Sequence, residues 1–385
     1  MLKKDITFIY MDSAEKSAYE PILAEAQKRG YKARLSKDKF AKCEIGVYCQ
    51  HNNFPQYSKF SVIMLHDIIQ QYGNWPDLWF REPWDKYDVG IIPSEQWEKN
   101  WNQCSQWGYT RPRRGMYKIG WPKADAVLEL QRNTYKDDFF KKYGLDERKK
   151  TILYAPAWEN DGKQNDFVNA MKDIGVNILI KQADWDPMLY PEQVKNVQEM
   201  YEKHKNLAGV TILPASTNIF SAIAVSDVLV SEESSTMCEA AMMGIPAVSV
   251  SDWLIPDVSP SRFPKCDYDF VVTTTREKLA ECVKEIVEKY EVYHENSIEF
   301  AKADFLNIGN TSSMIMDIID DCVEGKRIRY KALIPKKKER VPFKKEIKRR
   351  GHLFWVAMVY HYNIKYPLLG KLWKRASRIK HYFTK

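Results

Sequence analysis

Residues 228–250 read VLVSEESSTMCEAAMMGIPAVSV. Asp227-Val-Leu-Val230 is a short β-branched run, and Ser231 to Thr236 then supplies four hydroxyls and two carboxylates. Residues 237–243 are strong helix formers without an internal breaker, and Gly244-Ile-Pro246 stops the helix before a second apolar run. The predicted order is strand, hydroxyl-rich turn, helix, strand. Backbone N–H groups left free at such a helix start, together with the positive end of its dipole, favour a phosphate. Ser234, Ser235 and Thr236 are also ordinary N-cap types, so the stretch by itself serves equally well as a capped helix in a βαβ unit.

The same alternation extends outward in both directions. Towards the N-terminus, residues 151–155, 177–181 and 209–213 are strand candidates, with a helix predicted over 191–205. Helices over 275–290, 297–305 and 311–322 follow on the other side. A first set of strands is predicted at residues 6–10, 31–35, 44–48, 61–65 and 87–92, with a helix over 13–29 broken or kinked near Pro21. Residues 131–150 are polar and charged and separate the two sets. These patterns predict an α/β chain of two doubly wound sheets: 1–148, then 149–325, then a tail over 326–385.

Length supports that division, because 385 residues exceed the usual size of one hydrophobic core. Open α/β sheets bind ligands at the carboxyl ends of their strands. His66, Ser94, Trp158, Lys181 and residues 231–236 all follow predicted strands, the distribution expected of a cleft between two such sheets. The Trp-rich block from Trp75 to Trp107 reads mainly as packing anchors.

Composition removes several classes. Seven cysteines, odd in number and without a CxxC pair, argue for reduced thiols over a disulfide framework or a zinc site. No apolar run is long enough to span a bilayer, and the N-terminal residues turn acidic too early for a signal peptide, which predicts a cytoplasmic protein. There is no GxxxxGK[ST] phosphate loop. Asp137-Asp138 and Asp320-Asp321 lack the spacing of a metal cage and read as solvated helix faces, so no metal is expected.

The order of motifs resembles the CDP-glycerol glycerophosphotransferase (teichoic acid polymerase) family. Ile119-Gly-Trp-Pro-Lys-Ala-Asp125 is similar to its Gly-Tyr-Pro-Arg-x-Asp, and Ile152-Leu-Tyr-Ala-Pro-Ala-Trp158 to its Ile-Leu-Tyr-Ala-Pro-Thr-Trp. Val225 to Ser235 is similar to its Ser-Asp-x-Leu-Ile-Ser-Asp-Tyr-Ser-Ser. The resemblance covers roughly residues 60–255. It implies a GT-B fold, with donor nucleotide held mainly by the second domain, and membrane-peripheral transfer of an alcohol phosphate from a CDP-activated donor to a lipid-linked acceptor. Two departures stand out: His66-Asp67 occupies the place of a His-Gly pair, and Lys181-Gln-Ala-Asp-Trp-Asp-Pro187 stands for Lys-x-His-Pro, without its histidine.

Carried onto this chain, the resemblance makes His66 the catalytic base, with Asp67 placed to orient it, and an unperturbed imidazole has a suitable pKa. Trp158, Lys181, Ser231, Ser234, Ser235, Thr236 and Glu239 become donor-binding candidates, with Glu239 placed for the donor ribose. Glu232 and Glu233 would repel a diphosphate unless their side chains turn away. No cofactor is called for beyond the nucleotide-activated donor. A nucleotide-sugar glycosyltransferase of surface polysaccharide synthesis and a catalytically silent membrane-bound assembly factor fit the same residues as alternatives.

Charge is distributed unevenly. Residues 326–385 carry 20 Lys and Arg against two acids, leaving 39 basic and 49 acidic side chains in the first 325 residues. In the tail the basic stretches 335–340 and 344–350 are followed by an apolar aromatic segment over 352–362, and a second basic segment interleaved with aromatic and aliphatic residues follows over 371–380. That combination suits a helix lying on an anionic membrane surface, here the inner face of the cell membrane, whereas the acidic body and absence of a reading motif argue against nucleic acid.

Overall fold

The computed structural model describes residues 2–49, 53–65, 68, 79, 82–130, 133–187, 190–254 and 268–365. Six strands build the first sheet: β1 (Asp5–Ile9), β2 (Lys32–Ser36), β3 (Cys43–Cys49), β4 (Ser58–Met64), β5 (Val89–Ile92) and β6 (Met116–Lys118), in the order β2-β1-β3-β4-β5-β6. Six more build the second: β7 (Thr151–Tyr154), β8 (Asn177–Ile180), β9 (Val210–Ile212), β10 (Val228–Ser231), β11 (Ala247–Val250) and β12 (Val271–Thr274), in the order β12-β11-β10-β7-β8-β9. Every pairing is parallel.

Helices cover both faces of a parallel sheet, which is why β7, β8, β10 and β11 are buried along their whole length and read as continuous apolar runs. In each sheet the chain order reverses once, between β1 and β3 and between β7 and β10. At the second reversal Val228, Leu229 and Val230 pair with Ile152, Leu153 and Tyr154. Two strands escape the sequence reading. β6 and β12 are edge strands reading MYK and VVTT, without the longer apolar run that marks β9 over residues 209–213.

The helix Ser13–Lys28 runs unbroken with Pro21 inside it, contrary to the expected break. The buried stripe of Ala18, Tyr19, Ile22 and Ala26 holds it on the sheet, and a proline removes only one N–H from the ladder. Trp79, Trp84, Trp97 and Trp101 are fully buried packing anchors beneath the first sheet, as expected of that block, whereas Trp75 lies outside the described residues.

After the second sheet the chain returns to the first. Tyr290–Asp304 is a helix, and Phe305 then forms an antiparallel bridge with Ser94. The helix Thr311–Val323 packs on Ser13–Lys28, where the Arg29 guanidinium donates to Asp317 at 2.7 Å and Asp320 at 2.8 Å. Asp320 and its neighbour Asp321 are therefore ion-pair partners, Asp321 binding Arg329 at 2.9 Å, and not the free solvated face anticipated. Beyond it the Leu333 amide donates to the Met116 carbonyl at 2.8 Å, and the Glu339 amide to that of Gln106 at 2.9 Å. The tail runs without a helix to residue 342 and is helical over Phe343–Lys365, and its second basic segment, 371–380, lies outside the described residues.

Candidate functional site

A cleft of about 390 Å³ opens at the carboxyl ends of β7, β8, β9 and β10, astride the strand-order reversal of the second sheet. This is where open α/β sheets hold ligands. Ala155–Ala157 follows β7, Lys181 and Trp185 follow β8, Ser216 and Thr217 follow β9, and Ser234, Ser235, Thr236 and Glu239 follow β10. The facing wall comes from the first half of the chain, through Ser13, Lys16 and Glu20 of the first helix and Trp121 and Lys123 after β6.

Lys181 is the most constrained cation of the cleft, only 8% exposed. Its ammonium donates to the carbonyls of Gln182 at 2.7 Å and Ala215 at 2.8 Å, and it makes no ion pair with an acid among the described residues. An ammonium has three N–H donors, so one is left over. Burial pulls its pKa down to about 8, repulsion from Lys123 acts in the same direction, and Asp184 and Glu239 oppose both.

The hydroxyl turn divides into two functions. Ser231 is fully buried and donates to the Ala155 carbonyl at 2.8 Å and the Glu232 carboxylate at 3.0 Å, so it ties β10 to β7 and does not line the cleft. Ser234 accepts from the Thr236 amide at 3.3 Å, and Thr236 donates to the Ala155 carbonyl at 3.3 Å. Ser235 is the N-cap residue of the helix Thr236–Met242, yet its side chain makes no capping bond. Its hydroxyl has no partner among the described residues and faces the cleft with Ser234 and Thr236.

Glu232 turns away from the cleft. Its carboxylate accepts from the amides of Ala157 at 3.0 Å and Trp158 at 3.2 Å and from Lys163 at 3.1 Å, entirely inside the protein. The repulsion it would exert on a bound diphosphate is thereby removed. Trp158 also stays out of the lining. It stacks on Trp185 with ring centroids 4.5 Å apart, and Trp185 presents the pair to the cleft.

Glu239 lines the cleft and accepts from Lys123 at 2.7 Å. Lys123, Trp121, Trp185, Ser216 and Thr217 do not stand out in the sequence as site residues. Lys123 and Trp121 fall within the quoted Gly-Trp-Pro-Lys motif, and that is the available signal; nothing in the local pattern marks Ser216 or Thr217. In the same motif Asp125 accepts from the amides of Thr311 at 2.8 Å and Ser312 at 2.7 Å, capping the returning helix. His66 and Asp67, the expected base and its partner, lie outside the described residues.

Two parallel six-stranded α/β sheets with the cleft at their carboxyl edges define a GT-B protein. By structure the chain is similar to the wall teichoic acid polymerase TagF, with a TM-score of 0.61 at 16% identity over 84% of this chain and 89% of that one. A TagF variant soaked with CDPG gives the same values. It is also similar to the UDP-GlcNAc 2-epimerase of Neisseria meningitidis (TM-score 0.55, 14% identity, 82% of this chain and 100% of that one). No curated protein matches by sequence. The profile of the CDP-Glycerol:Poly(glycerophosphate) glycerophosphotransferase family matches residues 67–306, more than half of the chain. The chain belongs to that family, and it is a transferase whose donor is CDP-activated.

Proposed function

We propose that this enzyme moves a glycerol-phosphate unit from CDP-glycerol to a hydroxyl of a lipid-linked acceptor during synthesis of a cell-surface polymer, at the anionic inner face of the membrane. The observation that carries the donor half is Lys181, a buried ammonium without an acidic ion-pair partner among the described residues, which lines the same cleft at the strand reversal as the free hydroxyl of Ser235. In the reaction the acceptor oxygen attacks the phosphorus that bears glycerol, the bond from that phosphorus to the CMP oxygen breaks, and CMP leaves with the bonding pair. Lys181 offsets the charge that collects on CMP. On its sequence position His66 is the group to take the acceptor proton.

The membrane half rests on the Phe343–Lys365 helix. One face is anchored, with Lys345 3.6 Å above the Trp107 ring and Arg349 4.8 Å above that of Tyr109. The other face exposes Phe343, Ile347, Phe354 and Trp355, each more than half accessible, among Lys344, Lys348 and Arg350. No helix among the described residues is long and apolar enough to cross a membrane. Apolar and basic side chains on one open face suit a helix lying in the headgroup layer.

A thermal-shift series with CDP-glycerol, CMP and UDP-GlcNAc tests the donor. CDP-glycerol and CMP should stabilise the protein, and Lys181→Met should abolish the shift. Stabilisation by UDP-GlcNAc with none by the cytidine nucleotides would replace this reading with sugar transfer.

A further inference from the structure

Lys123 and Glu239 meet across the cleft at 2.7 Å, with side chains 15% and 3% exposed. Lys123 belongs to the first half of the chain and Glu239 to the second. The lysine is held from behind. It stands on the short helical turn Pro122–Ala126, and Asp125 of that turn caps the helix Thr311–Val323. Gly120, just before it, lies at φ +132, where an added Cβ would sit 2.6 Å from the Leu306 carbonyl oxygen. The ammonium also lies 5.8 Å from the Trp121 ring centroid. A cation with so fixed a base can reach Glu239 only while the two halves are closed on each other.

The carboxylate is the group that needs this partner. Glu239 lines the same cleft as Lys181, and its second oxygen makes no hydrogen bond among the described residues. A bare carboxylate there would repel an anionic donor. Paired through one oxygen, it is neutralised and presents the other in a fixed direction as an acceptor for hydroxyl groups. Lys181 and Lys123 thus act differently, since Lys181 keeps its charge free whereas that of Lys123 is spent on Glu239.

We propose that Lys123 is a positioning residue of the donor site, one that cancels and orients the Glu239 carboxylate from the opposite half of the chain, so that tight donor binding requires the closed cleft. This rests on the reading of the cleft as a nucleotide-donor site. It makes the donor site a composite of both halves.

The test measures the Kd of CDP-glycerol by calorimetry on the full-length wild type, Lys123→Met, Lys123→Arg and the double variant Lys123→Met with Glu239→Gln. Lys123→Met should weaken binding between about 10- and 100-fold and raise the donor KM more than it lowers kcat. Lys123→Arg should stay within about threefold of wild type, since it keeps the charge. The double variant should bind more tightly than Lys123→Met alone, because the uncompensated anion is gone. A lost structural contact would give no such recovery. A thermal melt verifies the fold of each variant, and Lys123→Gln replaces Lys123→Met should the latter fail to fold. Unchanged donor affinity in the uncharged variant, or a double variant weaker than the single one, overturns the proposal while leaving the donor reading intact. A wild type that does not bind CDP-glycerol overturns both.

Discussion

Lys163 and Glu232 form an ion pair at 3.1 Å with side chains 2% and 0% exposed, directly beneath the loop that joins β7 to the cleft. The Glu232 carboxylate gathers the amides of Ala157 and Trp158 and the Ser231 hydroxyl around the same point. The pair therefore fixes the floor on which Ala155, Pro156 and the hydroxyl turn stand. Removing one partner strands a charge away from water, which costs roughly 3–5 kcal/mol. We expect Glu232→Gln and Lys163→Met each to lower the unfolding free energy by about that amount, read from urea titrations. Replacing both together should cost less than the sum of the two single changes.

Lys181 sets a pH dependence. Its folded-state pKa of about 8 lies below the ordinary 10.5, so the folded protein carries a penalty from this group below about pH 8. As pH rises from about 8 to 10.5 the unfolded chain keeps a proton that the folded one has released, and this contribution to stability grows. Donor binding runs the other way, because only the ammonium attracts phosphate. Affinity for CDP-glycerol should fall as pH rises through about 8, and binding near that pH should take up a proton. Calorimetry in two buffers of different ionisation enthalpy measures the uptake, and Lys181→Met should abolish it.

Gly120 offers a purely steric test of the return crossing. At φ +132 a side chain is strained, and its Cβ would meet the Leu306 carbonyl oxygen at 2.6 Å and the Thr311 hydroxyl at 2.7 Å. Gly120→Ala should cost ~2–4 kcal/mol. Asp125→Ala, which strips the cap from the amides of Thr311 and Ser312, should cost ~1–2 kcal/mol. Melting temperatures of the two variants order these effects.

The sequence made the second sheet's switch point readable because β7 and β10 are buried, largely apolar runs, each followed by a compositional break: Pro156 after one and the hydroxyls of Ser234, Ser235 and Thr236 after the other. Ser234, Ser235, Thr236, Lys181 and Glu239 do converge on one cleft. Individual roles were less readable. Ser231 and Ser235 are alike in sequence, yet one hydroxyl is used up in tying β10 to β7 and the other is open, a difference made by the position of Ala155, 76 residues from Ser231. Lys123 and Glu239 are 116 residues apart, and no periodicity links them. The return of residues 305–349 to the first half was equally hidden, since a helix predicted over 311–322 does not name its partner, and the remaining contacts are single hydrogen bonds and cations over rings without a repeat.

The exposed face of the Phe343–Lys365 helix carries the last expectation. Its inner face is occupied by the Lys345 and Arg349 contacts with Trp107 and Tyr109, which leaves Phe343, Ile347, Phe354 and Trp355 with Lys344, Lys348 and Arg350 on the open side. Charge and apolar area contribute separately to binding at an anionic interface, and each can be removed alone. Converting Lys344, Lys348 and Arg350 to Gln should lower partitioning onto phosphatidylglycerol vesicles at least roughly tenfold and leave weak binding to zwitterionic vesicles unchanged. Converting Phe354 and Trp355 to Ser should weaken both. Sedimentation with vesicles of the two compositions measures each effect, and CDP-glycerol binding in solution verifies that the cleft is intact. Variants that sediment as well as wild type on both vesicles would remove this face as the membrane contact.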